Sequence, residues 1–198
     1  MRLVVGLENP GAEYEGTRHN VGGEVVTATA GNLGASFKRA RLGIRAVVAS
    51  VRVNDAPAAL ALPTTFMNEA GQAVAPLVRY LGVGGDDLLV VHDDIDLSFG
   101  QTRVQYGRGA GGNNGVRSVI GSLATKDFWR LKVGVGRPPG RKDPAVFVLE
   151  RFTKGERPEM GVVVAGSIDV LAEFISRGGE AARTLAGVSG AEEGEQRG

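Results

Sequence analysis

The chain has no cysteine and few aromatic residues. None of its 198 residues is Cys, which excludes disulfides, cysteine-ligated zinc, iron–sulfur clusters and thiol nucleophiles. No apolar run approaches the ~18 residues of a membrane helix, and the first residues are typical of a strand rather than of a signal peptide. We therefore expect a cytoplasmic protein whose core is built mainly from aliphatic side chains.

Several catalytic signatures are also missing. The sequence contains no phosphate-loop, HExxH or GxSxG pattern, which disfavours phosphate-loop NTPases, zincins and serine hydrolases with a nucleophile elbow. A GxGxxG pattern does occur at residues 107–112. However, the strand predicted before it is polar on one face, whereas the strand of a dinucleotide-binding unit is buried on both. A nucleotide-dependent α/β enzyme that uses this loop is kept as one alternative.

Positive charge is concentrated in one segment. Residues 101–142 contain nine basic residues and one acid, although the net charge of the whole chain is only +1. The basic residues are Arg103, Arg108, Arg117, Lys126, Arg130, Lys132, Arg137, Arg141 and Lys142. Such an excess indicates a surface that binds a polyanion.

Segments typical of strands and helices alternate along the chain. Apolar runs predict strands at residues 2–7, 44–53, 58–62, 88–91, 102–106 and 131–135, and helical spacing predicts helices at 21–33, 70–81, 116–123 and 158–186. Asn68 is a candidate cap of the second helix. A hairpin turn at residues 54–57 makes the sheet mixed. The predicted fold class is α/β: a single three-layer α/β/α domain with a twisted mixed β-sheet at residues 1–186, followed by a flexible acidic tail at 187–198.

The sequence contains two histidines, His19 and His92, and one of them can form a catalytic pair. His19 lies in a polar loop after the first strand, and Asp93 follows the buried run at residues 88–91. Because the carboxyl ends of strands border the binding crevice of open α/β sheets, these two side chains and Asn9 can meet there. An Asp beside a His stabilises the imidazolium and fixes which ring nitrogen is free, which makes a general base.

Two further sets of polar residues occur in the same loops. Three carboxylates permit a metal site, although few other ligands are present: Asp93, Asp94 and Asp96. Four asparagines beside turns can orient a water and polarise a carbonyl, or serve only as turn and cap residues: Asn9, Asn68, Asn113 and Asn114.

Five blocks of sequence, in matching order and spacing, resemble the bacterial peptidyl-tRNA hydrolase family from residue 2 to about residue 152. They read VVGLENPG at 4–11, TRHN at 17–20, PTTFMN at 63–68, HDDIDL at 92–97 and GGNNG at 111–115. The resemblance implies hydrolysis of the ester between a peptide and the 3′ ribose of tRNA, which recycles tRNA after stalled or aborted translation. It implies no cofactor or metal, contact with the acceptor stem and 3′ end of peptidyl-tRNA, no membrane or obligate protein partner, and a monomer.

The resemblance also implies roles for individual residues. His19 matches the catalytic base, Asp93 the residue that supports it, and Asn9 the residue that senses whether the α-amino group is blocked. The residues that match substrate-binding positions line the crevice or form a basic clamp on tRNA phosphate. The crevice residues are Tyr14, Phe66, Met67, Asn68 and Asn114, and the clamp residues are Arg103 and Lys132.

The chain departs from the family pattern at two positions. The family usually has GHNG where residues 112–115 read GNNG, so an amide replaces an imidazole at Asn113. Gln105 stands where a basic residue is common, which weakens the expected tRNA groove. The alternative function within this family is a non-catalytic RNA-binding relative, and the intact set of His, Asp and Asn residues favours turnover.

Overall fold

The computed structural model describes residues 1–195, with side chains described as far as residue 187. The strands are β1 (Arg2–Gly6), β2 (Lys38–Arg39), β3 (Ala46–Val53), β4 (Ala56–Pro63), β5 (Leu88–Asp94), β6 (Thr102–Tyr106) and β7 (Trp129–Gly134). The helices are α1 (Val21–Asn32), α2 (Gly71–Leu81), α3 (Asn114–Leu123), α4 (Pro144–Val148), α5 (Glu156–Arg177) and α6 (Gly179–Glu195).

The strands form one mixed sheet in the order β2-β3-β4-β1-β5-β7-β6. The four inner strands β4, β1, β5 and β7 are parallel, and antiparallel strands pair at both sides. The hairpin between β3 and β4 turns through Asn54 and Asp55, whose φ angles of 46° and 66° are both left-handed. Two such residues give a two-residue turn whose twist matches that of the strands. The predicted mixed sheet is confirmed.

Helices cover both faces of the sheet, because successive side chains of its inner strands enter opposite hydrophobic clusters. In β1, Val4 belongs to the cluster that includes residues of α1, α5 and α6, whereas Leu3 and Val5 belong to the cluster with α2 and α3. This alternation is the two-residue period of a strand buried on both faces. The three-layer α/β/α architecture predicted from the sequence is therefore confirmed.

Some predicted boundaries were wrong. Strand β5 extends to Asp94 and is buried along its whole length, so His92 and Asp93 lie within it and do not form a loop after it. The single helix predicted at residues 158–186 is two helices, because Gly178 has a φ of 99° and ends α5. Asn68 does not cap α2, since it lies in a preceding 3-10 turn and the helix begins at Gly71.

The C-terminal part of the chain leaves one prediction open. The segment 187–198, expected to form a flexible acidic tail, falls partly on α6, and residues 196–198 lie outside the described residues. Its flexibility and the end of the domain at residue 186 stay predictions. Within the described residues, no helix combines the length and apolar character needed to cross a bilayer.

Candidate active site

The carboxyl ends of β1, β4 and β5 lie side by side. The polar residues singled out from the sequence lie in the loops after these strands or at the end of β5. His19 lies in a 3-10 turn, Arg18–Asn20, between β1 and α1. The start of α1 lies directly on β5, because a Cβ placed on Gly22 would be 2.3 Å from the carbonyl oxygen of Val91. A glycine at this position therefore brings the His19 turn against the end of β5.

His19 and Asp93 are in direct contact, as predicted from the sequence, although 74 positions separate them in the chain. The Nδ1 atom of His19 lies 2.8 Å from Oδ1 of Asp93, and the Asp93 side chain is only 4% exposed. A carboxylate accepts hydrogen bonds, so Nδ1–H donates and Nε2 of the neutral ring keeps its lone pair. Burial lowers the pKa of His19, but the charge of Asp93 and this hydrogen bond outweigh it, and the net pKa lies above 6.5.

The two residues beside His19 hold its turn in place. Arg18 is buried, donates to both carboxylate oxygens of Glu156 at 3.0 and 2.8 Å, and stacks on Phe147 with its guanidinium carbon 4.2 Å from the ring centroid. On the other side, the Asn20 amide accepts from the backbone N–H of Asn9 at 2.8 Å and donates to its carbonyl at 2.9 Å. His19 is thereby fixed relative to both α5 and the loop after β1.

Asp93 has a second side-chain partner, Asn113. Nδ2 of Asn113 donates to Oδ1 of Asp93 at 2.9 Å, the same oxygen that accepts from His19. The other histidine, His92, is 1% exposed, and its Nδ1 lies 2.7 Å from the backbone oxygen of Asp93. Burial lowers the pKa of His92 to about 4. His92 is therefore a neutral structural residue behind the His19–Asp93 pair.

A cavity of about 320 Å³ opens over the pair. Its walls come from the ends of β5, the glycine-rich loop, the start of α3 and the short helix α4. The lining residues are His19, Asp93, Asp94, Ile95, Gly111, Gly112, Asn113, Asn114, Asp143, Pro144, Ala145 and Val148. Among these described lining residues none is Ser, Thr or Cys, so the cavity offers His19 no hydroxyl or thiol to activate.

Several residues expected to hold the peptide lie in the loops after β1 and β4 and are not among the lining residues of this cavity. Oδ1 of Asn9 accepts from the backbone N–H of Met67 at 2.8 Å, which joins the loops after β1 and β4. Met67 is buried close to Gly115, where an added Cβ would lie 2.4 Å from its sulfur. Tyr14 and Phe66 make an edge contact with ring centroids 6.3 Å apart, and half of the Phe66 surface is exposed.

Two of the amides expected to bind substrate remain accessible. Asn68 is exposed in its 3-10 turn. Asn114 is the first residue of α3, and its Oδ1 accepts from Nη1 of Arg117 at 2.8 Å. This bond leaves the Asn114 amide N–H₂ as a donor toward the cavity that the residue lines.

The three carboxylates of the HDDIDL block have different partners. Asp93 binds His19 and Asn113, whereas Oδ2 of Asp94 lies 2.5 Å from Nζ of Lys132 and its Oδ1 accepts from the backbone N–H of Asp96. Asp96 itself pairs with Arg137. Among the described residues, no group of three or more His, Cys, Asp or Glu side chains is arranged to hold a metal ion.

The basic clamp residues are neighbours in the sheet, but they differ in availability. Arg103 on β6 and Lys132 on β7 are register partners. Arg103 is exposed, whereas Lys132 is largely buried in its ion pair with Asp94. Contact with a phosphate by Lys132 therefore requires the phosphate to compete with Asp94.

Charge counting along the sequence overstates the positive surface of residues 101–142. Arg130 is only 2% exposed, and its Nε atom is buried without a hydrogen-bond partner. Arg137 and Lys142 pair with acids outside the segment, Asp96 and Glu150. The exposed remainder includes Arg103 and Arg108, so part of the predicted basic surface is still present.

Arg18 and Asn20 contribute to the site although sequence reasoning gave them no role, and Asn113, expected only as one of four candidate amides, contributes through Asp93. Arg18 and Asn20 flank His19 in the TRHN block, and polar residues next to a candidate base are a signal for this kind of support. Asn113 occupies the position where the family pattern has His, and only the fold shows that its amide reaches Asp93.

Comparisons with known proteins agree with this geometry. The family model described as "Peptidyl-tRNA hydrolase" matches residues 3–193. Proteins named peptidyl-tRNA hydrolase from Mycobacterium bovis and Mycobacterium tuberculosis are 48% identical over 181 residues, which cover 91% of this chain and 94% of each relative. The crystal structure of peptidyl-tRNA hydrolase from Acinetobacter baumannii superposes with a TM-score of 0.86 at 28% identity, covering 94% of both chains.

Proposed function

The chain belongs to the peptidyl-tRNA hydrolase family, and from this premise we propose that it cleaves the peptide–tRNA ester with His19 as the base. The observation that supports this assignment is the 2.8 Å contact between His19 Nδ1 and Asp93 Oδ1 at the wall of a cavity. The catalytic interpretation is favoured over a non-catalytic RNA-binding relative. A protein that only bound RNA would have no need for an oriented base beside its binding cavity.

The proposed reaction is a direct attack by water. Nε2 of His19 takes a proton from the water as its oxygen bonds to the ester carbonyl carbon, and Asp93 stabilises the imidazolium that forms. The tetrahedral oxyanion then collapses, and the bond from the acyl carbon to the ribose 3′ oxygen breaks. His19 returns its proton to that oxygen, so the products are a free peptide and a tRNA with an intact 3′ hydroxyl.

The surrounding amides supply orientation. We propose that the exposed amides of Asn68 and Asn114 donate to carbonyl oxygens of the peptide and to the tRNA end, since such donors stabilise the charge that develops on the carbonyl oxygen. Oδ1 of Asn9 accepts from the backbone N–H of Met67. The N–H₂ group of Asn9 is thereby left to donate a hydrogen bond to the first amide of a blocked substrate. An ester already has a competent leaving group, so a base and oriented donors suffice for the reaction.

The remaining elements of the proposal concern tRNA and the cell. Exposed arginines of the basic segment, such as Arg103, contact phosphates without reading sequence, which suits a substrate class that includes every tRNA. We propose that Lys132 completes this clamp after exchanging Asp94 for phosphate. We also propose that the protein acts in the cytoplasm as a monomer, without an obligate protein partner.

The test compares N-acetylaminoacyl-tRNA with unblocked aminoacyl-tRNA, each with and without EDTA. We expect cleavage of the blocked substrate only, at the same rate in chelator. Cleavage of both substrates at similar rates would contradict the role given to Asn9, and absence of any cleavage would contradict the proposed activity. Loss of activity in EDTA would contradict the water-and-imidazole mechanism.

A further inference from the structure

Asn113 is held at both ends of its amide group. Its Oδ1 accepts from the backbone N–H of Val116 at 3.1 Å, which caps the N-terminus of α3. Its Nδ2 donates to Oδ1 of Asp93 at 2.9 Å and lies 3.3 Å from the backbone oxygen of Asp93. The opposite orientation of the amide would set N–H₂ against the helix N–H and an oxygen against the carboxylate. Only one orientation of the side chain is therefore compatible with its neighbours.

The consequence for Asp93 is a fixed carboxylate. Its Oδ1 has two lone-pair sites, and these accept from His19 and from Asn113. With His19 bonded alone, rotation about the Cβ–Cγ bond would exchange the two carboxylate oxygens. The second donor, anchored in α3, holds one oxygen in place. Because Asn113 is only 9% exposed, water replaces this donor poorly.

We propose that Asn113 is a positioning residue that holds Asp93 toward His19 and couples the start of α3 to the catalytic pair. This inference rests on the proposed function. It also explains how an amide at position 113 differs from an imidazole as a hydrogen-bonding group. A neutral imidazole has one donor and one acceptor nitrogen and can do the same work only while it stays neutral, whereas an amide does so at every pH. His19 is therefore the titrating imidazole in this chain that contacts Asp93 side chain to side chain, because His92 contacts only its backbone oxygen.

The charged and titratable groups around the pair come from several elements. Asp94 lines the cavity from β5 and is paired with Lys132 of β7, and Asp143 lines it from the N-cap of α4. His92 lies behind Asp93 with its pKa near 4, so it stays neutral in the range where His19 titrates. None of these groups replaces the hydrogen bond that Asn113 donates. The acid limb of the pH–rate profile is accordingly expected to report one ionisation, that of His19.

The first test uses Asn113→Ser, with Asn113→Ala as its partner. Serine can accept the Val116 N–H as a helix cap, but its hydroxyl is too short to reach Asp93. We expect Asn113→Ser to keep the melting temperature of the wild type while kcat falls ~10-fold, which corresponds to about 1.4 kcal/mol, and KM changes less than ~2-fold. Asn113→Ala should lose kcat by a similar factor and also lower the melting temperature. An unchanged kcat in Asn113→Ser would overturn the proposal.

The second test uses Asn113→His and the pH dependence of kcat/KM. A titratable imidazole beside Asp93 should give a second ionisation on the acid limb, which becomes steeper than in the wild type. An acid limb of unchanged shape would contradict the inference that residue 113 acts through the pair.

An NMR titration of the His19 ring separates this inference from the proposed function, because it needs no substrate. In Asn113→Ser the His19 pKa should fall below its wild-type value, since burial lowers it whenever Asp93 turns away. If the wild type failed to cleave peptidyl-tRNA but this shift were seen, the positioning role would stand and the proposed activity would fail. An unchanged or raised His19 pKa would refute the positioning role even in an active enzyme.

Discussion

Glu8 is a half-buried carboxyl whose replacement should stabilise the protein at high pH only. It follows β1 and packs over Gly23, where a Cβ would lie 1.8 Å from Oε2 of Glu8. It also lines a second cavity, of about 440 Å³, behind the His19 turn. Burial raises the pKa of Glu8 from its ordinary value of 4.5 to about 7. Among the described residues no hydrogen bond to its carboxyl compensates for this burial.

The sign of the effect follows from proton binding. The folded pKa lies above the unfolded pKa, so between pH 4.5 and 7 the folded state binds more protons and stability falls as pH rises. The rise of the pKa from 4.5 to about 7 corresponds to at most about 3.4 kcal/mol, and partial exposure of the group reduces this to about 1–3 kcal/mol. The full destabilisation is present only above pH 7.

Glu8→Gln keeps the shape of the side chain and removes the ionisation. We expect its free energy of unfolding in urea to match the wild type near pH 4.5 and to exceed it by about 1–3 kcal/mol at pH 8. Glu15→Gln, which removes an exposed carboxyl from the same cavity, is the matched control and should change stability little at either pH. Equal effects of Glu8→Gln at both pH values, or a loss of stability at pH 8, would refute the reasoning.

Two predictions concern the reaction itself. In Asp93→Asn the charge that raises the His19 pKa is lost. The acid limb of kcat/KM should therefore move below pH 6.5, and the plateau of kcat/KM should fall at least ~10-fold. A midpoint at or above the wild-type value would count against the His19–Asp93 pair. In Arg103→Ala, KM should rise with little change in kcat, and the slope of log KM against log salt concentration should fall by about 1. The control, Arg52→Ala in the β3–β4 hairpin, should leave KM and this slope unchanged. Equal effects of the two Arg variants would remove Arg103 from the tRNA surface.

The architecture was predictable because it depends on local patterns. Two examples are the apolar run of β1 and the hairpin turn at Asn54, each of which specifies its element from a few neighbouring residues. The break between α5 and α6 was missed although two consecutive glycines, Gly178 and Gly179, interrupt the helical pattern there, and such a pair is a turn signal. Gly178 has a positive φ that favours glycine, and Gly179 lies so close to the Trp129 ring that an added Cβ would overlap it.

The site was predictable as a set of residues but not as a network. The carboxyl-end rule for α/β sheets brought His19 and Asp93 together, and the structure confirms that they are in contact. No pattern in the sequence predicts that Asp94 neutralises Lys132, because the partners lie on different strands and their pairing depends on register. The same holds for Asn113 and Asp93, which meet only after the glycine-rich loop returns to the end of β5.

The central claim is that the His19 imidazole is the base that activates water. Single-turnover cleavage of N-acetylaminoacyl-tRNA at saturating enzyme isolates this step, because binding and product release then do not limit the rate. We expect His19→Ala to lower this rate by ~10²–10⁴ while the affinity for tRNA is unchanged. A His19→Ala protein that is folded and cleaves at the wild-type rate would contradict it.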